Sequence, residues 1–311
     1  MRIVLSIAVL GLLTLPAQTQ TLPDWAYPVN PTLTPLDDKV QKHLTDSTKA
    51  YTQAQIDDGF NPSDWYPQDH PPMPDVVAHG RKAANARACA MCHLTSGGGQ
   101  PESARLAGLP VGYVMRQMAE FKSGARHGAG AVAMVPIARG LSEEDLKAAA
   151  EYFTSLTIPT WYKVVETATV PKSYLANGAM RLPVEHGGTE PIGNRIIELP
   201  QDIESAESRN PRVGFVAHVP PGSIKKGEAI VTTGADGKTL PCATCHGPNL
   251  TGVGDVPPII GRSPMYIYRQ LNDIKIGTRN GAMAPLMKGV VEKLTDDDMI
   301  AIAAYLVSKG P

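Results

Sequence analysis

Apolar positions recur along the chain with the period of an α-helix, and they do so in two places. Val114, Met118 and Phe121 fall at i, i+4 and i+7, and Ile267, Leu271 and Ile274 repeat that spacing. Each set predicts an amphipathic helix with one apolar stripe turned to a core. Further on, Leu146, Ala149, Ala150 and Phe153 form another stripe, matched by Met299, Ile302, Ala303 and Leu306. The alanines are small enough for close packing on a second helix. Ser142 and Thr295 stand just ahead of these stripes, each followed three residues later by an acid, Asp145 or Asp298. That is an N-cap with a capping-box variant, Asp replacing the commoner Glu. Short helices are also expected after Gly80 and after Gly227.

Elsewhere the pattern changes. Within residues 159–222, "WYKVVET", "NRIIELP" and "GFVAHVP" are β-branched runs bounded by Pro, Gly and Asn, which predict short strands or extended straps. Residues 21–78 contain "YPVNPTLTP" and "NPSDWYPQDHPPMP"; proline fixes extended backbone, so an arm is expected to lie over the first helical unit, anchored by Trp25, Trp65 and Tyr66. A short helix is expected in it near Asp37 to Tyr51. At the start, Arg2, an apolar run from Ile3 to Leu15, then Pro16 and Ala17 read as a signal peptide over 1–20, an uncleaved anchor being the alternative. The mature chain is accordingly expected in a periplasm, with no membrane span after cleavage.

At 311 residues the chain has room for two domains, and a net charge of −1 argues against nucleic acid as a partner. Residues 21–78 carry 3 Lys+Arg against 9 Asp+Glu, whereas 79–158 carry 9 against 6. Solvated faces explain this most simply; an acidic extension packing on a basic face is the other reading.

The four cysteines lie in "CAMCH" and "CATCH". Two disulfides, a redox pair or a zinc site would be the ordinary readings of such pairs. The histidine after each pair changes that. Two thiols can add to the vinyl groups of a haem while the adjacent imidazole binds its iron from below. Cys89, Cys92 and His93 are thus expected to hold one covalent haem c, and Cys242, Cys245 and His246 a second.

The two motifs are 153 residues apart, from Cys89 to Cys242, and the match continues downstream without a gap: "YVMRQMAEFKSGAR" falls on "YIYRQLNDIKIGTR". This register selects the sixth ligands. Met283 and Met287 are both available in the second half, but only Met287 lies 153 residues after Met134. Met134 and Met287 are therefore assigned to the irons, and Met115, Met118 and Met299 to the core. Arg126 and Arg279, like Arg116 and Arg269, could meet haem propionates or simply face solvent. Tyr113 and Tyr266 could wall the pockets or anchor their helices. His127 has Asn280 as its repeat partner, and His43, His70, His79, His186 and His218 have no paired equivalent, so none is expected to be a ligand.

These features resemble class I cytochromes c, over about residues 79–158 and 223–311. The resemblance implies a mainly α protein with two such helical domains in tandem, a Pro-rich arm and a β-containing insert at 159–222. It also implies one-electron transfer, though no particular donor; the leading expectation is a carrier between an exported dehydrogenase and a downstream cytochrome or oxidase. A haem enzyme, peroxidase-like or oxidising small sulfur compounds, is the rival, and it would need one iron with an open position.

Overall fold

The computed structural model describes residues 22–27, 39–157 and 161–311. The signal-peptide reading, and the arm around Asp37, lie outside these residues. Among them no helix is long and apolar enough to cross a membrane.

The first unit is built from α1 (Cys89–His93), α2 (Val111–Ser123), α3 (Met134–Gly140) and α4 (Glu143–Ser155). The second contains α5 (Ser223–Thr233), α6 (Ala243–His246), α7 (Pro264–Ile276), α8 (Ala284–Val291) and α9 (Asp296–Ser308). The apolar stripes of α2, α4, α7 and α9 face two separate cores, as their period requires. Both middle helices stop at a glycine in the left-handed region, Gly124 at φ 82° and Gly277 at φ 84°, a conformation that strains any other residue. At the head of α9, Thr295 and Asp298 complete the capping box. At α4 Ser142 caps alone, because the Asp145 carboxylate is taken by Arg81.

Two of the expected helices differ. Gly227 lies inside α5, not before it: a Cβ there would sit 1.9 Å from Ala301 O, so the glycine is what lets α5 close on α9. After Gly80 there is only a three-residue turn, Lys82–Ala84, because Asn85 turns left-handed and the Arg81↔Ala86 bridge folds the chain back.

The three β-branched runs become β1 (Tyr162–Glu166), β2 (Ile197–Pro200) and β3 (Phe215–Val219), in one sheet ordered β1-β3-β2. The β1/β3 pair is parallel, with Tyr162 opposite Phe215, and the β2/β3 pair is antiparallel, with Ile197 opposite His218. β1 packs on α9, and Ile300, Ala304 and Val307 are buried as well as the predicted stripe.

The arm corrects one expectation. Its start, residues 22–27, lies on the second unit: the Trp25 ring is 4.5 Å from Tyr268, and Tyr27 Oη donates to Asp273 Oδ1 at 2.7 Å. The polar cluster on α7 draws it there, Arg269 Nη1 donating to Ala26 O at 3.0 Å. Trp65 and Tyr66 anchor the later part, where Trp65 Nε1 donates to Ser208 O at 2.7 Å in the insert. Ion pairs Asp57–Arg209 and Asp69–Arg212 join the acidic arm to the insert. Its last part reaches the first unit's core, through Val76 and Val77 with Met73 packed against it. No helix forms over residues 39–51; Asp46 at φ 60° reverses the chain so that Lys42 pairs with Tyr51.

Candidate haem sites

One turn of helix carries the attachment residues in each half. His93 Nδ1 meets Ala104 O at 2.7 Å, and His246 Nδ1 meets Pro257 O at 2.9 Å. A carbonyl only accepts, so Nδ1 must carry the proton in both rings, leaving the Nε2 lone pair free for a metal. Burial lowers both imidazoles' affinity for a second proton and keeps them neutral. The thiols respond the opposite way: burial pushes Cys89 up to about 12 and Cys242 up to about 11. Neither Cys89 nor Cys242 is therefore the acidic thiolate of a disulfide oxidoreductase.

Each attachment turn opens on a large cavity. The first is lined by Cys89, Cys92, His93 and Met134, and the second by Cys242, Cys245, His246 and Met287. The structure thus gathers all eight residues singled out from the sequence into two sites of four. Met283 also lines the second cavity but is 46% exposed, whereas Met287 packs against the core. The apolar stripes Val114–Met118–Phe121 and Ile267–Leu271–Ile274 form a wall of each, so the core they were predicted to face is the cavity itself.

The cavities share a partition. Tyr113 and Gln117 from α2, and Tyr266 and Gln270 from α7, line both. Across a pseudo-twofold axis Arg116 and Glu120 reach the second unit's cavity while Arg269 and Asp273 reach the first. On that axis Arg126 and Arg279 form an antiparallel bridge. Arg126 Nη2 donates to Gln270 Oε1 at 2.7 Å, and Arg279 Nη2 donates to Tyr113 Oη at 2.9 Å and Gln117 Oε1 at 3.0 Å. These arginines are cavity and interface groups, not a solvated helix face, and Arg269 is only 5% exposed.

A haem fits what is present. The cavities hold about 1410 and 1570 Å³ of space between protein atoms, their mouths included. Buried Arg262 Nη2 and Arg116 Nε, both on residues lining the second cavity, have no hydrogen-bond partner. An unsatisfied buried donor costs about 1–3 kcal/mol, and the two carboxylates of a haem would supply acceptors. The sequence reading missed Arg262, Gln117 and Gln270; the repeated Arg-Gln pair was visible, but nothing local marks it as facing the other unit.

Comparison with known proteins adds three findings. The family model described as "Cytochrome c" matches residues 224–309, and that described as "Cytochrome C oxidase, cbb3-type, subunit III" matches residues 75–153. A thiosulfate dehydrogenase electron acceptor of Stutzerimonas stutzeri (strain A1501) is 28% identical over 239 residues, covering 76% of this chain and 85% of that protein. Cytochrome c-554(548) of Halomonas halodenitrificans is 37% identical over 69 residues, 22% of this chain and 83% of that protein. Among solved structures, the as-isolated thiosulfate dehydrogenase of Marichromatium purpuratum superposes with a TM-score of 0.50 at 27% identity, over 73% of this chain and 38% of that one.

Proposed function

Because this chain belongs to the cytochrome c family and carries a covalent haem c in each half, we propose that it is a periplasmic relay, accepting electrons from a thiosulfate dehydrogenase and passing them to a downstream cytochrome or oxidase. A bound haem supplies one-electron exchange at its iron. Cys89 and Cys92, or Cys242 and Cys245, would tether it through thioether bonds. His93 with Met134, and His246 with Met287, would hold the two irons and leave none open to a substrate, which is why a relay suits the sites better than turnover. The thioether ligand favours a high potential. The apolar stripes keep water away, so a change of charge is met by fixed groups and little rearrangement.

The observation that carries this reading is the shared partition: four side chains, Tyr113, Gln117, Tyr266 and Gln270, touch both cavities. Passage between the sites then requires no movement of one unit against the other. A dehydrogenase that releases electrons in pairs is also matched by two one-electron sites in one chain. The donor is supported by the relative whose name describes it as the electron acceptor of thiosulfate dehydrogenase.

The test is stopped-flow reduction of the oxidised holoprotein by a purified thiosulfate dehydrogenase with thiosulfate. Reduction of both haems, absent when either enzyme or thiosulfate is left out, is expected. Failure to reduce either haem, in a protein that dithionite reduces fully, would rule out this donor.

A further inference from the structure

The loops that follow the two histidines repeat one another down to their hydrogen bonds. Gln100 and Ser103 exchange backbone bonds in the first, and Val253 and Val256 do so in the second. Each loop presents one acid, Glu102 or Asp255, 153 residues apart, and each acid lines the cavity of its own unit. An arginine on the middle helix of the opposite unit holds each loop: Arg116 Nη2 donates to Asp255 O at 3.1 Å, and Arg269 Nη2 donates to Pro101 O at 2.6 Å.

The central insert breaks this symmetry. The Asp255 side chain is 58% exposed and lies 3.9 Å from the Arg116 guanidinium. Glu102 is only partly exposed and, among the described residues, forms no ion pair. Instead it lies within electrostatic reach of Glu198 on β2, Tyr162 on β1, Arg269 on α7, and Arg181 and Arg209 of the insert. Glu198 is 1% exposed and fixed, its carboxylate accepting from Ser263 Oγ at 2.9 and 3.0 Å and from Met265 N at 2.7 Å. A second carboxyl is thus held immobile within electrostatic reach of the first.

We propose that Glu102 is a proton-binding site coupled to the first haem: it takes one proton from solvent when an electron arrives there and returns it when the electron leaves. Burial, with Glu198 adding to it, pushes Glu102 up to about 8, so a change of one charge nearby moves it across neutral pH. An electron delivered to the site makes its surroundings less positive and strengthens the carboxyl's hold on a proton. By linkage, the proton raises the affinity of that site for the electron by the same factor. As pH rises and Glu102 ionises, the first haem therefore loses potential relative to the second, and the drive from first to second grows. The insert would thereby make two repeated sites unequal.

This inference needs the first haem to change redox state, but no partner, so it stands or falls separately from the thiosulfate dehydrogenase reading. The experiment is an equilibrium redox titration of the holoprotein from about pH 6 to about pH 9.5, a window that brackets a raised carboxyl, with the haems distinguished by their methyl NMR resonances. The first haem's midpoint should fall with pH by up to one proton per electron, and the second's should stay flat. Glu102→Gln should flatten the first, Glu102→Asp should keep the slope, and Asp255→Asn should change neither. Burial pushes the neighbouring Glu198 up to about 7, so Glu198→Gln should keep a slope at the first haem and move it to lower pH; loss of the slope in that variant would place the proton on Glu198 and overturn the proposal. A flat wild-type response, an equal slope at both haems, or a slope that survives Glu102→Gln would overturn the proposal.

Discussion

Met283 and Met287 stand four residues apart, and both side chains reach the second cavity. Their surroundings differ. Met287 is partly buried against the core, one turn inside α8, whereas Met283 precedes the helix and is 46% exposed. An axial ligand must be held against solvent and in a fixed place, which favours Met287 and agrees with its register to Met134. Met287→Ala is expected to remove about half of the sulfur-to-iron near-infrared absorption of the oxidised holoprotein and to lower the second haem's potential, since a thioether ligand raises it. Met283→Ala should leave both unchanged. The opposite result would mean that the 153-residue register slips between the second histidine and α8.

At the scale of elements, close packing of α5 on α9 is the sharpest constraint. The Cβ that Gly227→Ala introduces would meet Ala301 O at 1.9 Å, and this is backbone of a helix buried on nearly every side. Overpacking of this kind costs about 1–3 kcal/mol or more, so the variant should unfold at clearly lower denaturant, with the second haem's environment lost first. An unchanged midpoint would show that the helices can separate freely. The stripes of α2, α4, α7 and α9 were legible because their apolar spacing is regular and the caps are local. The strands β1, β2 and β3 were legible as β-branched runs, though not their order. What was not legible depends on distant partners: residues 22–27 follow Arg269 and Asp273 across to the second unit, and Gly227 looks like a helix start until Ala301 is placed above it. All eight candidate site residues could be read because each sits in a motif or at its repeat distance. Glu102 could not, since Glu198 and Tyr162, the groups within its electrostatic reach, come from the distant insert.

Across the whole molecule, the two units are held together less by ion pairs than by arginines donating to carbonyls. Arg105, from the loop after His93, donates to Gly261 O at 2.7 Å and Ile260 O at 3.1 Å in the second unit, and Arg262 Nη1 donates back to Arg105 O at 2.9 Å. Both side chains are 5% exposed, so salt should weaken this junction little. Arg105→Met keeps the apolar stem and removes the donors, each hydrogen bond to a charged group being worth about 1.5–3 kcal/mol. Each unit keeps its own core in the variant, so what is lost is the coupling between them. Denaturant unfolding followed at each haem should give one coincident transition in the wild type and two separated ones in Arg105→Met. Coincident transitions in the variant would shift the coupling to the arm and the insert, whose contacts Tyr27–Asp273 and Trp65–Ser208 tie the described arm residues to the second unit and to the insert by a route independent of this junction.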